Sequence, residues 1–95
     1  AYAYYFAKAM IEGGVVNGLD KETSKKLTID TIIGACEMIK ANPDVPLGLL
    51  ISNVCSKGGT TIEAVNVFEN CQMDKIVIDA MTACKKRSEE LRADK

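Results

Sequence analysis

The sequence predicts an all-α domain of five helices, for three reasons. Apolar residues recur every three or four positions along most of the chain, which is typical of one face of a helix. No segment alternates polar and apolar residues long enough for a strand, and turns containing Gly, Asn and Pro separate the helical stretches. The 95 residues, 47% of them hydrophobic, form one small domain with little material to cover its apolar faces.

The first helix is expected from Tyr2 to about Asn17, ending at Gly18, because glycine readily takes the left-handed conformation that ends many helices. Side chains at spacings of three and four define one apolar face, which we interpret as a packing surface in a core or an interface. This face consists of Tyr2, Tyr5, Phe6, Ala9, Met10, Gly13 and Val16.

The second helix is expected from Lys21 to about Ala41. Asp20 is its predicted N-cap, Glu22 lies in the first turn where the helix dipole favours negative charge, and Pro43 disfavours helical geometry beyond the end. A helix that is apolar on nearly all sides needs covering on nearly all sides, so the sequence favours a partner subunit. The apolar positions are Leu27, Ile29, Thr31, Ile32, Ile33, Ala35, Cys36 and Ile39.

Three further helices complete the predicted fold. A short helix restarts at Asp44 to Pro46, since proline is tolerated in a first helical turn. The next begins at Thr60 and ends at Asn70, which we expect in the left-handed conformation. The last runs from about Met73 to Arg92, and its apolar face is Val77, Ala80, Met81, Cys84, Ser88 and Leu91.

Composition excludes several classes of function. With 12 basic and 13 acidic residues the net charge is -1, which argues against a nucleic-acid binder because phosphate contacts need clustered Lys and Arg. Histidine is absent, which excludes His-based triads and zinc sites with an imidazole ligand. The longest apolar stretch, residues 45–51, is far below the ~20 residues that span a bilayer, so no membrane association is expected.

The cysteines lack the spacing of a metal site. Cys36, Cys55, Cys71 and Cys84 form no Cys-x-x-Cys pair, so no metal ligands are assigned. We interpret Cys36 and Cys84 as small buried hydrophobic residues in a reducing compartment. A four-thiolate zinc site and an extracellular disulfide framework are the alternatives.

One loop, Ser56-Lys57-Gly58-Gly59-Thr60-Thr61, is not explained by packing. Its glycines allow a sharp turn close to a ligand, and the N–H groups that start the next helix are free to bind an anion. Three hydroxyls and the Lys57 charge add to this site. The alternative is a capping box, in which Thr60 and Glu63 satisfy the helix start reciprocally and nothing is bound. The spacing matches neither a Walker loop nor a dinucleotide fingerprint.

The segment Val54-Cys55-Ser56-Lys57-Gly58-Gly59-Thr60-Thr61-Ile62-Glu63-Ala64-Val65 resembles the signature of the pyrroline-5-carboxylate reductase family, in its C-terminal dimerisation domain. Four other segments are similar to the same family, so the resemblance covers essentially the whole chain. They are the opening Ala1-Tyr2 with the aromatic helix that follows it, Gly18-Leu19, Gly34-Ala35-Cys36-Glu37-Met38 and Ala83-Cys84-Lys85-Lys86-Arg87-Ser88-Glu89-Glu90-Leu91.

The resemblance implies an all-α, five-helix bundle-like domain, similar to the C-terminal domain of 6-phosphogluconate dehydrogenase, that forms an interlocked homodimer. Residues 1–95 would be the substrate-binding and dimerisation domain of a longer enzyme, whose N-terminal Rossmann domain, absent from this chain, binds NADPH or NADH. This domain alone would then bind no cofactor and be inactive. Family members often assemble dimers into decamers. The cytoplasm is the expected compartment, and the mitochondrion is the alternative.

The implied reaction is hydride transfer from NAD(P)H to the imine of 1-pyrroline-5-carboxylate, which gives L-proline, the last step of proline biosynthesis. The resemblance places the substrate carboxylate on Ser56, Gly58, Gly59, Thr60 and Thr61, and it makes Thr61 the catalytic candidate, with its hydroxyl toward the ring nitrogen. Cofactor-binding residues would lie on the missing domain. The alternative function is a helical dimerisation or interaction module without chemistry.

The loop departs from the family at one position, since Lys57 stands where proline is usual. Proline would fix φ and stiffen the loop, whereas lysine loosens it. The added charge either assists carboxylate binding or is simply solvated.

Overall fold

The computed structural model describes residues 1–93, and over that range it is all-α, as predicted. Its helices are α1 (Tyr2–Val16), α2 (Lys21–Ala41), α3 (Leu47–Asn53), α4 (Thr60–Asn70) and α5 (Met73–Ala93). The chain divides into two compact units, Ala1–Leu47 and Gly48–Lys95. The first unit holds α1 and α2, and the second holds the candidate loop and the helices on either side of it.

Gly18 ends α1, as predicted. It takes a φ of +109°, a conformation that glycine adopts without steric cost. The N–H of Gly18 donates to the carbonyl of Val15 at 3.1 Å, and the N–H of Leu19 donates to that of Gly14 at 3.0 Å. This pair of bonds is a Schellman motif, which satisfies the last carbonyls of α1 and turns the chain toward α2.

Asp20 caps α2, as predicted. Its carboxylate accepts hydrogen bonds from the N–H of Thr23 at 2.8 Å and from the Thr23 hydroxyl at 2.9 Å. These bonds stabilise the ionised form and hold the pKa of Asp20 below its ordinary value of 3.8, the backbone bond being the larger cause. The charge also lies at the positive end of the helix dipole.

We expect the Asp20 cap to lose its contribution to stability in acid. A carboxyl whose pKa is lower in the folded state stabilises fully above its unfolded pKa, near 3.8, and the contribution is lost as pH falls through the folded value. The control is Asp20→Asn, because asparagine caps helices without titrating. Thermal unfolding of both chains between neutral pH and acid should show the difference in stability between wild type and Asp20→Asn decreasing as the pH falls. A difference that stays constant with pH would contradict the assignment.

In the first unit, α1 and α2 pack through a pair of small residues. Ser24 of α2 is only 2% exposed, and its hydroxyl donates to the carbonyl of Ile11 at 2.8 Å. A Cβ built on Gly14 of α1 would collide with the Ser24 hydroxyl oxygen and lie 3.0 Å from the Ser24 Cβ. A Cβ on the neighbouring Gly13 would meet nothing within 4 Å in the described chain. Gly14 is therefore the residue that allows the two helices to approach.

In the second unit, the reversal between α4 and α5 falls later than predicted. α4 ends at Asn70, but Gln72 is the residue with a left-handed φ, of 54°, so the prediction for Asn70 is wrong. The N–H of Cys71 still donates to the carbonyl of Val67 at 3.0 Å, as in a continuing helix. Cys71 is therefore the C-cap of α4, the left-handed Gln72 makes the turn, and α5 begins at Met73.

The second unit also contains an apolar groove of about 680 Å³. Side chains of α3, α4 and α5 line it, with Glu69 and Asp74 as its charged members. The apolar lining is Ile51, Val65, Phe68, Met73, Val77 and Ile78.

Within residues 1–93, no apolar side chain is buried, and the two buried residues are Ser24 and Thr28. Cys36 and Cys84 are exposed, so their predicted burial is wrong for the single chain. Helical periodicity identifies an apolar face but not what covers it. The aromatic face of α1 is likewise open, with Tyr5 72% exposed.

The accessible surface is too large for a self-sufficient chain of this mass. It amounts to 8171 Å² for 10.3 kDa. Even two separate compact bodies, each of half that mass, would together expose about 6,500 Å². The excess of about 1,700 Å² per chain, doubled for two copies, falls in the size range of obligate dimer interfaces. Whatever the arrangement of the two units, a large apolar surface therefore stays uncovered within the described residues.

Candidate functional site

The candidate loop lies between α3 and α4 and forms a hydrogen-bonded turn. The carbonyl of Ser56 accepts from the N–H of Gly59 at 2.9 Å, and Gly58 has a φ of +75°. Lys57 is not among the residues of positive φ in the described chain. A positive φ confined to the third residue is the signature of a type II turn, and that position favours glycine. The predicted sharp turn is therefore confirmed.

The start of α4 carries no side-chain cap among the described residues. Gly59 is the N-cap, with φ -82° and ψ 178°, and Thr60 is already the first helical residue. A capping box needs the hydroxyl residue at the N-cap, so Thr60 and Glu63 do not form one. Thr60, Thr61 and Ile62 therefore supply the open N–H groups of the helix start.

Gly58 and Gly59 have different structural tasks. Gly58 takes the left-handed conformation, whereas Gly59 allows a close approach, since a Cβ there would lie 2.5 Å from the Ser56 hydroxyl oxygen and 3.1 Å from its carbonyl oxygen. This approach brings Ser56 back against the start of α4. Sequence reasoning missed Gly59 as the N-cap, although glycine is an accepted residue there. A comparison of Gly59 with Thr60 as candidate N-caps would have included the arrangement that the structure shows.

The site is polar, open to solvent and of mixed charge. Ser56, Lys57, Thr60 and Thr61 are exposed, and the side chains of these four residues make no hydrogen bond or ion pair within residues 1–93. Glu63 lies in the first turn of α4, where its negative charge opposes an anion and the Lys57 charge offsets it. Hydroxyls, helix N–H groups and one ammonium suit a small carboxylate.

We expect Lys57→Pro to stabilise the fold by about 0.4–1 kcal/mol, because proline suits the second position of a type II turn and restricts the unfolded chain. Lys57→Ala is the control, since it removes the charge and adds no ring. Thermal unfolding in moderate salt compares the two variants. If proline destabilises the chain, the turn at Lys57 is not type II.

Two motifs common at metal and nucleotide sites are absent from the described residues. No group of three or more His, Cys, Asp or Glu side chains is placed to hold a metal ion within residues 1–93, and the four cysteines are unpaired there. Over the same range there is no strand leading into a glycine-rich turn, which a Rossmann site requires. The donors of the Ser56 to Thr61 loop fit a carboxylate. None of the five helices is both long and apolar enough to cross a membrane over the described range.

A comparison with protein families identifies the family of this chain. A family model described as pyrroline-5-carboxylate reductase dimerisation matches residues 1–91. The chain belongs to this family. Among curated relatives, the pyrroline-5-carboxylate reductase of Vibrio alginolyticus is 41% identical over 91 residues, and that of Escherichia coli K12 is 38% identical. Each match covers 96% of this chain and 34% of the relative, so the chain spans about a third of the length of these reductases.

A solved structure agrees on the fold of this pyrroline-5-carboxylate reductase dimerisation domain. The crystal structure of Plasmodium falciparum pyrroline carboxylate reductase with NADP bound is 38% identical and superposes with a TM-score of 0.82. The match covers 86% of this chain and 31% of the Plasmodium chain. The family resemblance read from the Val54 to Val65 segment and from the rest of the chain is thereby confirmed.

Proposed function

We propose that the chain is the C-terminal substrate-binding and dimerisation domain of an enzyme that reduces 1-pyrroline-5-carboxylate to L-proline, with a hydride from NADPH or NADH. Family membership over residues 1–91 supports this proposal. The relatives are about three times longer than the matched region, which leaves room in them for a separate cofactor domain. The NADP bound to the Plasmodium relative supports a nicotinamide cofactor.

The open start of α4 is the observation that carries the substrate assignment. We infer that the N–H groups of Thr60 and Thr61 and the hydroxyl of Ser56 hold the substrate carboxylate, with Gly58 and Gly59 shaping the turn. These donors have no competing partner in the described chain. The Thr61 hydroxyl, in the first turn of α4, is assigned to the ring nitrogen as it becomes an amine. Such groups act by positioning and electrostatics.

The dimer is the second part of the proposal. The family description names dimerisation, and the chain exposes about 1,700 Å² more surface than two compact bodies would. We infer an interlocked homodimer, and assembly of dimers into a decamer is the finer hypothesis. Sedimentation of the chain at micromolar concentration tests both, and a folded monomer would exclude them.

The experiment that tests the activity uses the full-length protein that carries this chain. We expect it to oxidise NADPH or NADH when 1-pyrroline-5-carboxylate is added and to release L-proline, detected by amino-acid analysis. The 95-residue chain, assayed in parallel, should be inactive. The absence of turnover with either cofactor would overturn the enzyme assignment, and a dimer without turnover would favour the helical interaction module instead. The same proposal places the enzyme in the cytoplasm, consistent with four unpaired thiols.

A further inference from the structure

Two helix faces of the described chain are uncovered and share one pattern. On α2, residues spaced alternately by four and three form a face that we call the acid-edged seam: Leu27, Thr31, Gly34, Met38 and Ala41. On α5 the same spacing forms the base-edged seam: Val77, Met81, Cys84, Ser88 and Leu91. All ten residues are exposed. This spacing is the one by which two helices pack side by side along their length.

The charges beside the two seams are opposite. Asp30 and Glu37 lie along the α2 seam, and neither has an ion pair among the described residues. Lys85, Arg87 and Arg92 lie along the α5 seam. Two of these cations have exposed partners on their own helix, Lys85 with Glu89 at 3.9 Å and Arg87 with Glu90 at 3.2 Å. Because exposed ion pairs contribute little, both cations remain available to a facing carboxylate.

Gly34 gives an independent reason to expect a closely packed helix. Glycine in the middle of a helix weakens it, so its presence there needs a cause. A Cβ on Gly34 would meet nothing within 4 Å in the described chain, and the chain's own packing therefore does not require glycine. A helix from another molecule that lay across the centre of the acid-edged seam would require glycine at this position. The side-chain sizes also suit packing of one seam against the other, since each seam combines large residues with small ones.

We propose that the acid-edged seam of one copy packs against the base-edged seam of a second copy of this chain. By two-fold symmetry the dimer contains this contact twice. The excess accessible surface of about 1,700 Å² per chain is what two such contacts, with the flanking apolar side chains, would cover. The inference rests on the proposed dimer and specifies which surfaces form it.

The test uses charge reversal and mixing. The acid-reversed variant is Asp30→Lys/Glu37→Lys, and the base-reversed variant is Lys85→Glu/Arg87→Glu. Each homodimer then opposes like charges at both contacts, and its dissociation constant should rise at least about tenfold by sedimentation at low salt. In a one-to-one mixture both contacts regain opposite charges, so the heterodimer should form with about the wild-type affinity. Circular dichroism monitors the helix content of each variant and of the mixture. If the separate variants lose helix content and the mixture recovers it, that result also supports the pairing.

Mixing distinguishes this pairing from one within a chain. The chain with all four substitutions should dimerise normally whether the two seams pair within one chain or between two copies. Recovery of affinity on mixing the acid-reversed and base-reversed variants, in contrast, requires contact between copies. Variants that dimerise like wild type, or a mixture that stays as weak as its components, would overturn the proposal. A wild-type chain that is monomeric at micromolar concentration would instead overturn the dimer itself.

Gly34→Ala provides a second measurement that does not depend on charge. If Gly34 faced solvent in the dimer, alanine would only strengthen the helix. We expect weaker association, by about tenfold or more, because an added methyl group at a close helix contact forces the backbones apart. Unchanged or tighter association would show that no helix crosses the seam at Gly34.

Discussion

Under the proposed function, Thr61→Ala in the full-length protein is expected to lower kcat/KM by roughly 10- to 150-fold. This corresponds to the loss of one oriented hydrogen bond to a charged group, about 1.5–3 kcal/mol. The substitution should leave folding intact, because Thr61 is exposed and its hydroxyl has no partner in the described chain. Alanine is also a better helix former than threonine.

Thr61→Ser is the matched control for that substitution. Serine keeps both the hydroxyl and the N–H at the second position of α4, so it should retain most of the activity. Steady-state kinetics with 1-pyrroline-5-carboxylate, alongside thermal unfolding of each variant, separates a catalytic loss from a folding loss. An alanine variant with kcat/KM close to wild type would remove Thr61 from the site.

Gly14→Ala is expected to destabilise the chain by about 1–3 kcal/mol, since a Cβ at that position collides with Ser24 and the two helices must move apart. The hydrogen bond from Ser24 to the carbonyl of Ile11, at 2.8 Å, would be strained or broken as they separate. A lower midpoint in thermal or urea unfolding would show the effect.

The adjacent Gly13→Ala is the control, because it makes the same chemical change in the same helix. A Cβ on Gly13 meets nothing within 4 Å in the described chain, so alanine leaves the contact between α1 and α2 intact and, measured at concentrations where the chain is unassociated, should stabilise α1 by about 0.5–1 kcal/mol. The two substitutions should therefore have opposite signs. Equal effects would show that α1 and α2 do not approach as closely as Gly14 and Ser24 indicate.

Sequence patterns predicted the helices best where strong local signals bound them. α2 runs from Lys21 to Ala41, as expected, because a capping aspartate precedes it and a proline follows shortly after it. The end of α4 was predicted in the right place but with the wrong left-handed residue. Asparagine has only a modest preference for that conformation, and the backbone bond to Val67 makes Cys71 the C-cap, which leaves the left-handed position to Gln72.

The candidate loop was predicted as a site, but its capping was left open. Both Gly59 and Thr60 can cap a helix, and the choice depends on which of them has extended dihedral angles, a property that residue identity does not determine. The burial of Cys36 and Cys84 could not be inferred either. An apolar face has the same sequence whether its own chain or another molecule covers it.

The near absence of buried side chains has a consequence for how the protein persists in a cell. With Ser24 and Thr28 alone buried in the described chain, no apolar side chain is fully removed from water before association. Folding and pairing would then be a single equilibrium, with a transition temperature that rises with protein concentration. Newly made chains below the association threshold would remain accessible to proteases, so the abundance of the protein would depend on its rate of synthesis more steeply than linearly.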